Sequence, residues 1–169
     1  MRIFRSIQLT ICCLIGGGGM VCAQTRPPDL TNKPAPAFVR PDLAGRRVRL
    51  EQYRGKVVLL NFWATWCGPC QVELPRFAEW QKTYGARGFQ VLAVSMDDSE
   101  PPVRRTVRRL HLDFPVLMGD ANLGDEYGGV LGLPITFLID RDGKIVAQLK
   151  GETDLKSLEG RVRQLLAQK

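Results

Sequence analysis

The most constraining feature of the sequence is a continuous apolar run that leads into two closely spaced cysteines. Residues 57–63 read Val-Val-Leu-Leu-Asn-Phe-Trp, and Cys67-Gly-Pro-Cys70 follows almost at once. A short apolar run of this kind predicts a buried central strand. The next residues predict a helix over 69–84 that ends at Gly85. We therefore expect a strand–turn–helix unit with both cysteines at the turn.

The rest of the chain alternates strand patterns with helix patterns. The sequence predicts an N-terminal hairpin over residues 38–50, strands at 89–95, 114–118, 135–139 and 144–149, and helices that begin near residues 101, 121 and 154. This order is typical of an α/β fold in which helices cover both faces of a mixed central sheet.

The first 23 residues have the pattern of a secretory signal peptide. Arg2 and Arg5 precede an apolar stretch, and Val21-Cys22-Ala23 suits signal peptidase. An uncleaved membrane anchor is the alternative, although the run of four glycines disfavours a spanning helix. Residues 24–37 are rich in proline and predict a flexible linker. Residues 38–169 then form the single domain.

The cysteine positions limit what the thiols can do. Three of the five cysteines lie in the leader, so the exported chain keeps only Cys67 and Cys70. The loop between them is too short for a disulfide to stabilise the fold, and two thiols are too few for a structural zinc site. The only histidine, His111, is expected at a helix end on the surface. We predict no metal site.

The charge balance excludes one class of partner. Lys and Arg total 24, of which two lie in the leader, against 17 Asp and Glu. The exported chain is therefore mildly basic, but its basic residues do not interleave with aromatics as they do in nucleic-acid-binding proteins. The four arginines at 104, 105, 108 and 109 are expected on the solvent-facing side of a helix.

The two cysteines are placed for thiol–disulfide exchange. Cys67 is expected at the helix N-terminus, where backbone N–H groups and the helix dipole stabilise a thiolate. Gly68 permits the tight turn, and Pro69 suits the first helical turn. Cys67 should be exposed, whereas Cys70 lies one turn deeper and should be shielded. Cys67 would then attack a partner disulfide, and Cys70 would resolve the mixed disulfide.

Glu73 and Pro134 are further candidate site residues. Glu73 shares a helical stripe with Cys70, Leu74 and Phe77, so burial should raise its pKa and suit it to exchange a proton with Cys70. The alternative is that its long side chain reaches solvent. Pro134 follows Leu133 at the start of a predicted strand, where a cis peptide bond is possible.

These motifs resemble the TlpA/ResA-like thiol–disulfide oxidoreductases of the thioredoxin superfamily. The resemblance spans residues 34–167 and is carried by residues 55–70, by Glu73-Leu74-Pro75, and by residues 132–140 with Gly143. It implies a thioredoxin-like fold with an N-terminal β-hairpin and an inserted βα segment. It also implies a cis Leu133–Pro134 bond that faces the cysteines. Asn61 stands where ordinary thioredoxins carry a buried aspartate.

The resemblance also implies an activity and a location. The protein is expected to reduce disulfides in partner proteins, in cytochrome c maturation or copper-site assembly, at the periplasm or the outer face of the membrane. Trp66, Gly68, Pro69 and Leu133 would bind the partner chain. A membrane thiol–disulfide transporter would supply electrons. No cofactor is expected beyond the Cys67–Cys70 disulfide, no nucleic acid binds, and a monomer is expected.

Two other classes on the same fold remain open. A peroxiredoxin carries threonine three residues before its reactive cysteine, whereas Ala64 occupies that position and Thr65 comes one residue later. A copper-binding module would have three residues between its cysteines and a distant histidine. The sequence has two residues between them.

Overall fold

A computed structural model describes residues 28–168 of the chain. The signal peptide predicted over residues 1–23 lies outside the described residues. No helix within the described part has the length and apolar character needed to cross a membrane.

The fold is a five-stranded mixed sheet with a small two-stranded sheet beside it. The small sheet is a hairpin of β1 (Val39–Pro41) and β2 (Arg47–Arg49). The large sheet has the order β5-β4-β3-β6-β7, with β3 (Val57–Trp63), β4 (Phe89–Ser95), β5 (Val116–Met118), β6 (Ile135–Ile139) and β7 (Ile145–Lys150). β3 is parallel to β4 and antiparallel to β6. The predicted mixed sheet and N-terminal hairpin are confirmed.

Four α-helices surround the large sheet. They are α1 (Gly68–Tyr84), α2 (Glu100–Arg109), α3 (Ala121–Glu126) and α4 (Leu155–Ala167). α1 and α4 pack against one face of the sheet, and α3 and the hairpin pack against the other. The segment between β4 and β6, which holds α2, β5 and α3, contains the predicted insertion.

Successive side chains of β3 point to opposite faces of the sheet and so pack in two different cores. Val57, Leu59 and Trp63 contact the α1 and α4 side, and Leu60 and Phe62 contact the opposite side. All seven residues of β3 are buried. A strand that is apolar on both faces therefore fixes the direction in which the chain enters the cysteine turn.

The prediction of a flexible linker over residues 24–37 is wrong for residues 30–36, which we call the edge segment. Its backbone bonds to the start of β7: Asn32 N donates to Ile145 O at 2.8 Å, and Ile145 N donates to Lys33 O at 2.9 Å. The proline-rich composition suggested flexibility. However, proline also favours extended backbone, and an edge strand offers free N–H and C=O groups to such a segment.

Tyr127 ties the end of the edge segment to the second core. Its buried hydroxyl donates to Pro36 O at 2.7 Å. We expect Tyr127→Phe to lower the free energy of unfolding by about 1 kcal/mol, because the Pro36 carbonyl loses its donor while the ring packing stays. Urea unfolding measures the change. Tyr53→Phe is the control, since the Tyr53 hydroxyl makes no hydrogen bond within residues 28–168, and equal losses in both variants would contradict the assignment.

Candidate active site

The two cysteines form a disulfide at the N-terminus of α1. Cys67 is the N-cap residue of the helix, and Cys70 lies in its first turn, with 5.3 Å between the two Cα atoms. The backbone N–H of Cys70 donates to Cys67 Sγ at 3.3 Å. The predicted strand–turn–helix placement is confirmed. A sulfur anion at Cys67 would accept this N–H and face the positive end of the helix dipole.

The exposure of the two sulfurs differs less than the sequence suggests. Cys70 is completely buried, and Cys67 is only 5% exposed. Cys67 was expected to be an exposed residue, and this is wrong for the disulfide form, because the neighbouring side chains cover most of it. It is nevertheless the cysteine that reaches the surface. Trp66, beside it, is 71% exposed.

Glu73 lies in the core, as its stripe on α1 predicts. The side chain is 2% exposed, alongside buried Cys70 and Leu74. The solvent-facing alternative is wrong. Oε1 accepts a hydrogen bond from Thr153 N at 2.8 Å, and Oε2 has no hydrogen-bond partner within the described residues.

Burial raises the pKa of Glu73, and the hydrogen bonds from Thr153 only partly oppose this effect. The negative charge of Glu152 raises the pKa further. No salt bridge to Glu73 is found within residues 28–168. Glu73 can therefore hold a proton at a pH at which a solvated glutamate is ionised.

Thr153 is a site residue that the sequence does not predict. Asp154 caps α4, and Thr153 uses its backbone N–H to hold Glu73. The two residues are 80 positions apart. A backbone donor has no residue-type signature, so the sequence contains no signal for this contact.

The Leu133–Pro134 peptide bond is cis, as predicted. Phe62 on β3 pairs with Ile135 on β6, so Pro134 lies one residue beyond this pair, at the end of β3 where the cysteine turn begins. Leu133 is half-buried, while Trp66, Gly68 and Pro69 are exposed beside the cysteines. The structure therefore brings the predicted partner-binding residues to one end of the sheet. Leu131, two residues before Leu133, is 86% exposed.

Asn61 is a buried amide on the same face of the sheet as Cys70. Its Nδ2 donates to Thr136 Oγ1 at 2.9 Å, and its Oδ1 has no partner within the described residues. The alternation of β3 places Asn61 with Leu59 and Trp63, which contact α1. The strand thus carries an amide beneath the cysteines, and the buried carboxylate comes from the helix.

Residues 28–168 contain no group of three or more His, Cys, Asp or Glu side chains arranged to hold a metal ion. His111 follows α2, where its backbone has a positive φ of 50°.

A helix-terminal cysteine pair, a cis proline at the adjacent strand end and a mixed sheet between helices define a thiol–disulfide oxidoreductase of thioredoxin-like fold. Comparison with known proteins gives the same class. The AhpC/TSA family matches residues 31–148. The chain belongs to the AhpC/TSA family and to the TlpA/ResA-like thiol–disulfide oxidoreductases, as the sequence resemblance predicted.

Individual relatives share most of their length with the chain. The thiol-disulfide oxidoreductase ResA of Bacillus thuringiensis subsp. konkukian is 37% identical over 161 residues, which cover 93% of this chain and 92% of the relative. ResA of Geobacillus thermodenitrificans is 42% identical over 117 residues, 69% of this chain and 67% of the relative. A thiol:disulfide interchange protein from Chlorobium tepidum has a similar structure, with a TM-score of 0.75 and 28% identity, covering 83% of this chain and all of that protein.

The buried carboxyl of Glu73 makes the stability of the fold depend on pH. Its raised pKa means that the folded state binds this proton more tightly than the unfolded state does. Stability is therefore lost as the pH rises from the ordinary value of 4.5 through the raised value. Glu73→Gln is neutral at every pH and avoids this loss, so its stability relative to the unaltered protein should increase over that range.

Urea unfolding of both oxidised proteins between about pH 4 and pH 8 measures this difference. Glu79→Gln, at an exposed position of the same helix, is the control and should show no such trend. If the free energy of unfolding of Glu73→Gln differed from that of the unaltered protein by the same amount at every pH, a raised pKa of Glu73 would be contradicted.

Proposed function

We propose that this thiol–disulfide oxidoreductase works in the bacterial envelope, where it reduces disulfides in partner proteins through Cys67 and Cys70. The observation that carries the proposal is the placement of the pair: Cys67 caps α1 and reaches the surface, and Cys70 is buried behind it. The Gly68-Pro69 dipeptide between the cysteines is also found in reducing thioredoxins, which supports the reducing direction.

The exchange follows from this placement. The Cys67 thiolate attacks one sulfur of a partner disulfide, and the other partner sulfur leaves as a thiolate and takes a proton. Cys70 then loses its proton and attacks Cys67 Sγ. The mixed disulfide breaks, and the second partner sulfur leaves as a thiolate, which takes a proton from solvent. Two electrons have passed to the partner, and a Cys67–Cys70 disulfide remains.

Glu73 is proposed as the proton acceptor for Cys70. Cys70 is buried away from water, so its proton needs an acceptor inside the protein. Glu73 lies three residues further along α1, on the same stripe, and its Oε2 has no hydrogen-bond partner within the described residues. Its raised pKa lets it hold the proton that Cys70 releases.

The apolar surface around the cysteines is proposed as the binding groove for the partner chain. Trp66, Gly68 and Pro69 form one side, next to Cys67, while Leu133 and the cis Pro134 form the other. Exposed apolar side chains at a reactive centre suit an extended segment of another protein better than a small polar molecule.

The remaining assignments concern the cellular role. The leader pattern of residues 1–23 supports export to the periplasm or to the outer face of the membrane. The TlpA/ResA-like resemblance supports cytochrome c maturation or copper-site assembly, with a membrane thiol–disulfide transporter to regenerate the dithiol. We propose that the protein acts as a monomer without a cofactor other than its cysteine pair.

A peroxidase activity is the second candidate, since the match to the AhpC/TSA family supports it. The local sequence disfavours it, because Ala64 occupies the position where a peroxiredoxin has threonine. Peroxide consumption by the reduced protein, compared with its reduction of a protein disulfide, distinguishes the two activities.

Trapping identifies the partner proteins. In Cys70→Ser the mixed disulfide cannot be resolved, so Cys67 should stay covalently attached to whatever it attacked. The variant, expressed in its native envelope, should form higher-mass species on non-reducing gels that collapse with thiol reductant. Mass spectrometry then names the partners: apocytochromes indicate cytochrome c maturation, and copper-site proteins indicate oxidase assembly.

The matched control for trapping is Cys67→Ser, which should trap far less because Cys70 is buried. Equal trapping by the two variants, or no trapping by abundant Cys70→Ser protein, would contradict the assigned roles.

The role of Glu73 is tested on the thiol itself. An ionised Glu73 beside Cys70 disfavours a second negative charge there. We therefore expect Glu73→Gln, made in the Cys67→Ser background, to shift the midpoint of Cys70 alkylation to lower pH. Peptide mass spectrometry after timed alkylation measures the rate. A midpoint that does not move would show that Glu73 and Cys70 do not interact.

A further inference from the structure

The turn that carries Cys67 is held by a carboxylate that the exchange chemistry does not use. Asp97 follows the end of β4, and both of its oxygens contact Thr65. Thr65 N donates to Oδ2 at 2.9 Å, and Thr65 Oγ1 donates to Oδ1 at 2.5 Å. Thr65 comes two residues before Cys67, between β3 and α1.

Asp97 is itself fixed to the sheet. Ser95 Oγ donates to Asp97 Oδ2 at 2.7 Å, and Asp97 N donates back to Ser95 Oγ at 3.2 Å. Ser95 is completely buried and pairs with Trp63 in the β3–β4 register. The carboxylate therefore links the turn to the sheet, so that the sheet fixes where the turn lies.

The helix holds the same residue from the other side. Gln71 Nε2 donates to Thr65 O at 2.6 Å. Arg109, at the end of α2, donates to the Gln71 side-chain oxygen. Arg109 is exposed, as its predicted place on the solvent-facing side of the helix requires, and this contact also links α2 to α1. The N–H, hydroxyl and C=O groups of Thr65 are thus all bonded to side chains.

We propose that Asp97 is a positioning residue for Cys67: it fixes Thr65 so that the Cys67 sulfur stays at the N-terminus of α1. The inference rests on the proposed role of Cys67 as the attacking thiolate. The turn continues through the Cys67 N–H bond to Ala64 O at 3.1 Å, so movement at Thr65 moves the sulfur away from the Cys70 N–H. A sulfur displaced in this way loses helix-terminal stabilisation of its anion.

The test is the pH profile of Cys67 alkylation in the reduced full-length protein, followed by peptide mass spectrometry. Asp97→Ala should shift the midpoint to higher pH and slow alkylation at neutral pH by about fivefold, the scale of a helix-terminus effect. Asp98→Ala is the matched control. It removes an exposed neighbouring carboxylate that makes no hydrogen bond to the turn within the described residues, and its profile should not change.

A second variant separates positioning from charge. Within residues 28–168, Asp97 and Arg109 are the charged members of the network that holds Thr65, and Glu73 is a buried acidic residue on α1. If Asp97 acted only through its negative charge, Asp97→Ala and Asp97→Asn would both shift the midpoint to lower pH, because a nearby anion disfavours a thiolate. Under the proposal, Asp97→Asn keeps an acceptor for Thr65 and retains more of the normal profile than Asp97→Ala.

Thr65→Val keeps the backbone donor and removes only the hydroxyl. It should shift the midpoint in the same direction as Asp97→Ala, by a smaller amount, and Thr65→Ser should restore the profile. This pair replaces Asp97→Ala if that variant does not fold. An unchanged or lowered midpoint of Cys67 alkylation in Asp97→Ala overturns the proposal. If Asp97→Ala does not fold, the same result in Thr65→Val overturns it.

Disulfide exchange with a model protein substrate distinguishes a failure of the positioning role from a failure of the proposed function. If the unaltered protein shows no exchange, the proposed function fails, and the alkylation profile still reports on positioning. If the unaltered protein exchanges and the Asp97 and Thr65 variants keep its profile and rate, the proposed function stands and the positioning role is wrong.

Discussion

The burial of β3 on both faces is the constraint on which the rest of the structure depends. Its seven residues are all buried, and it bonds to β4 on one side and β6 on the other. It is the central strand of the five-stranded sheet, with core side chains on each face. Because the strand cannot shift register without moving apolar side chains, the turn at its end is fixed in space. The cysteine pair, the first turn of α1 and the cis proline all lie at that end.

The core beneath the cysteines contains polar groups that a purely structural core would lack. Glu73 has one carboxylate oxygen without a partner, and Asn61 has an unpaired carbonyl oxygen, within the described residues. Each such atom costs about 1–3 kcal/mol. Asp42, the other buried carboxylate among these residues, is paired with Arg46. These two unpaired oxygens, of Glu73 and Asn61, thus lie on the face of the sheet that Cys70 contacts.

Local sequence patterns correctly predicted the features that depend only on residues close together in the chain. The apolar run of β3, the helix after Pro69 and the stripe that buries Glu73 are visible because side-chain periodicity reports which face meets the core. The prediction from composition was wrong, because the proline-rich edge segment is bonded to β7. Composition describes how a segment behaves alone and does not show which surface it meets.

The sequence by itself determined the α/β fold, the cysteine turn and the burial of Glu73, since each depends on neighbours within a few turns of helix or strand. Only the tertiary structure decided which distant groups hold them. Thr153 binds Glu73 from 80 residues away, and Asp97 binds Thr65 from 32 residues away. These contacts depend on where the ends of β4 and β7 come to lie beside α1. A backbone N–H or a single aspartate has no pattern of its own, so only the assembled sheet shows what it bonds to.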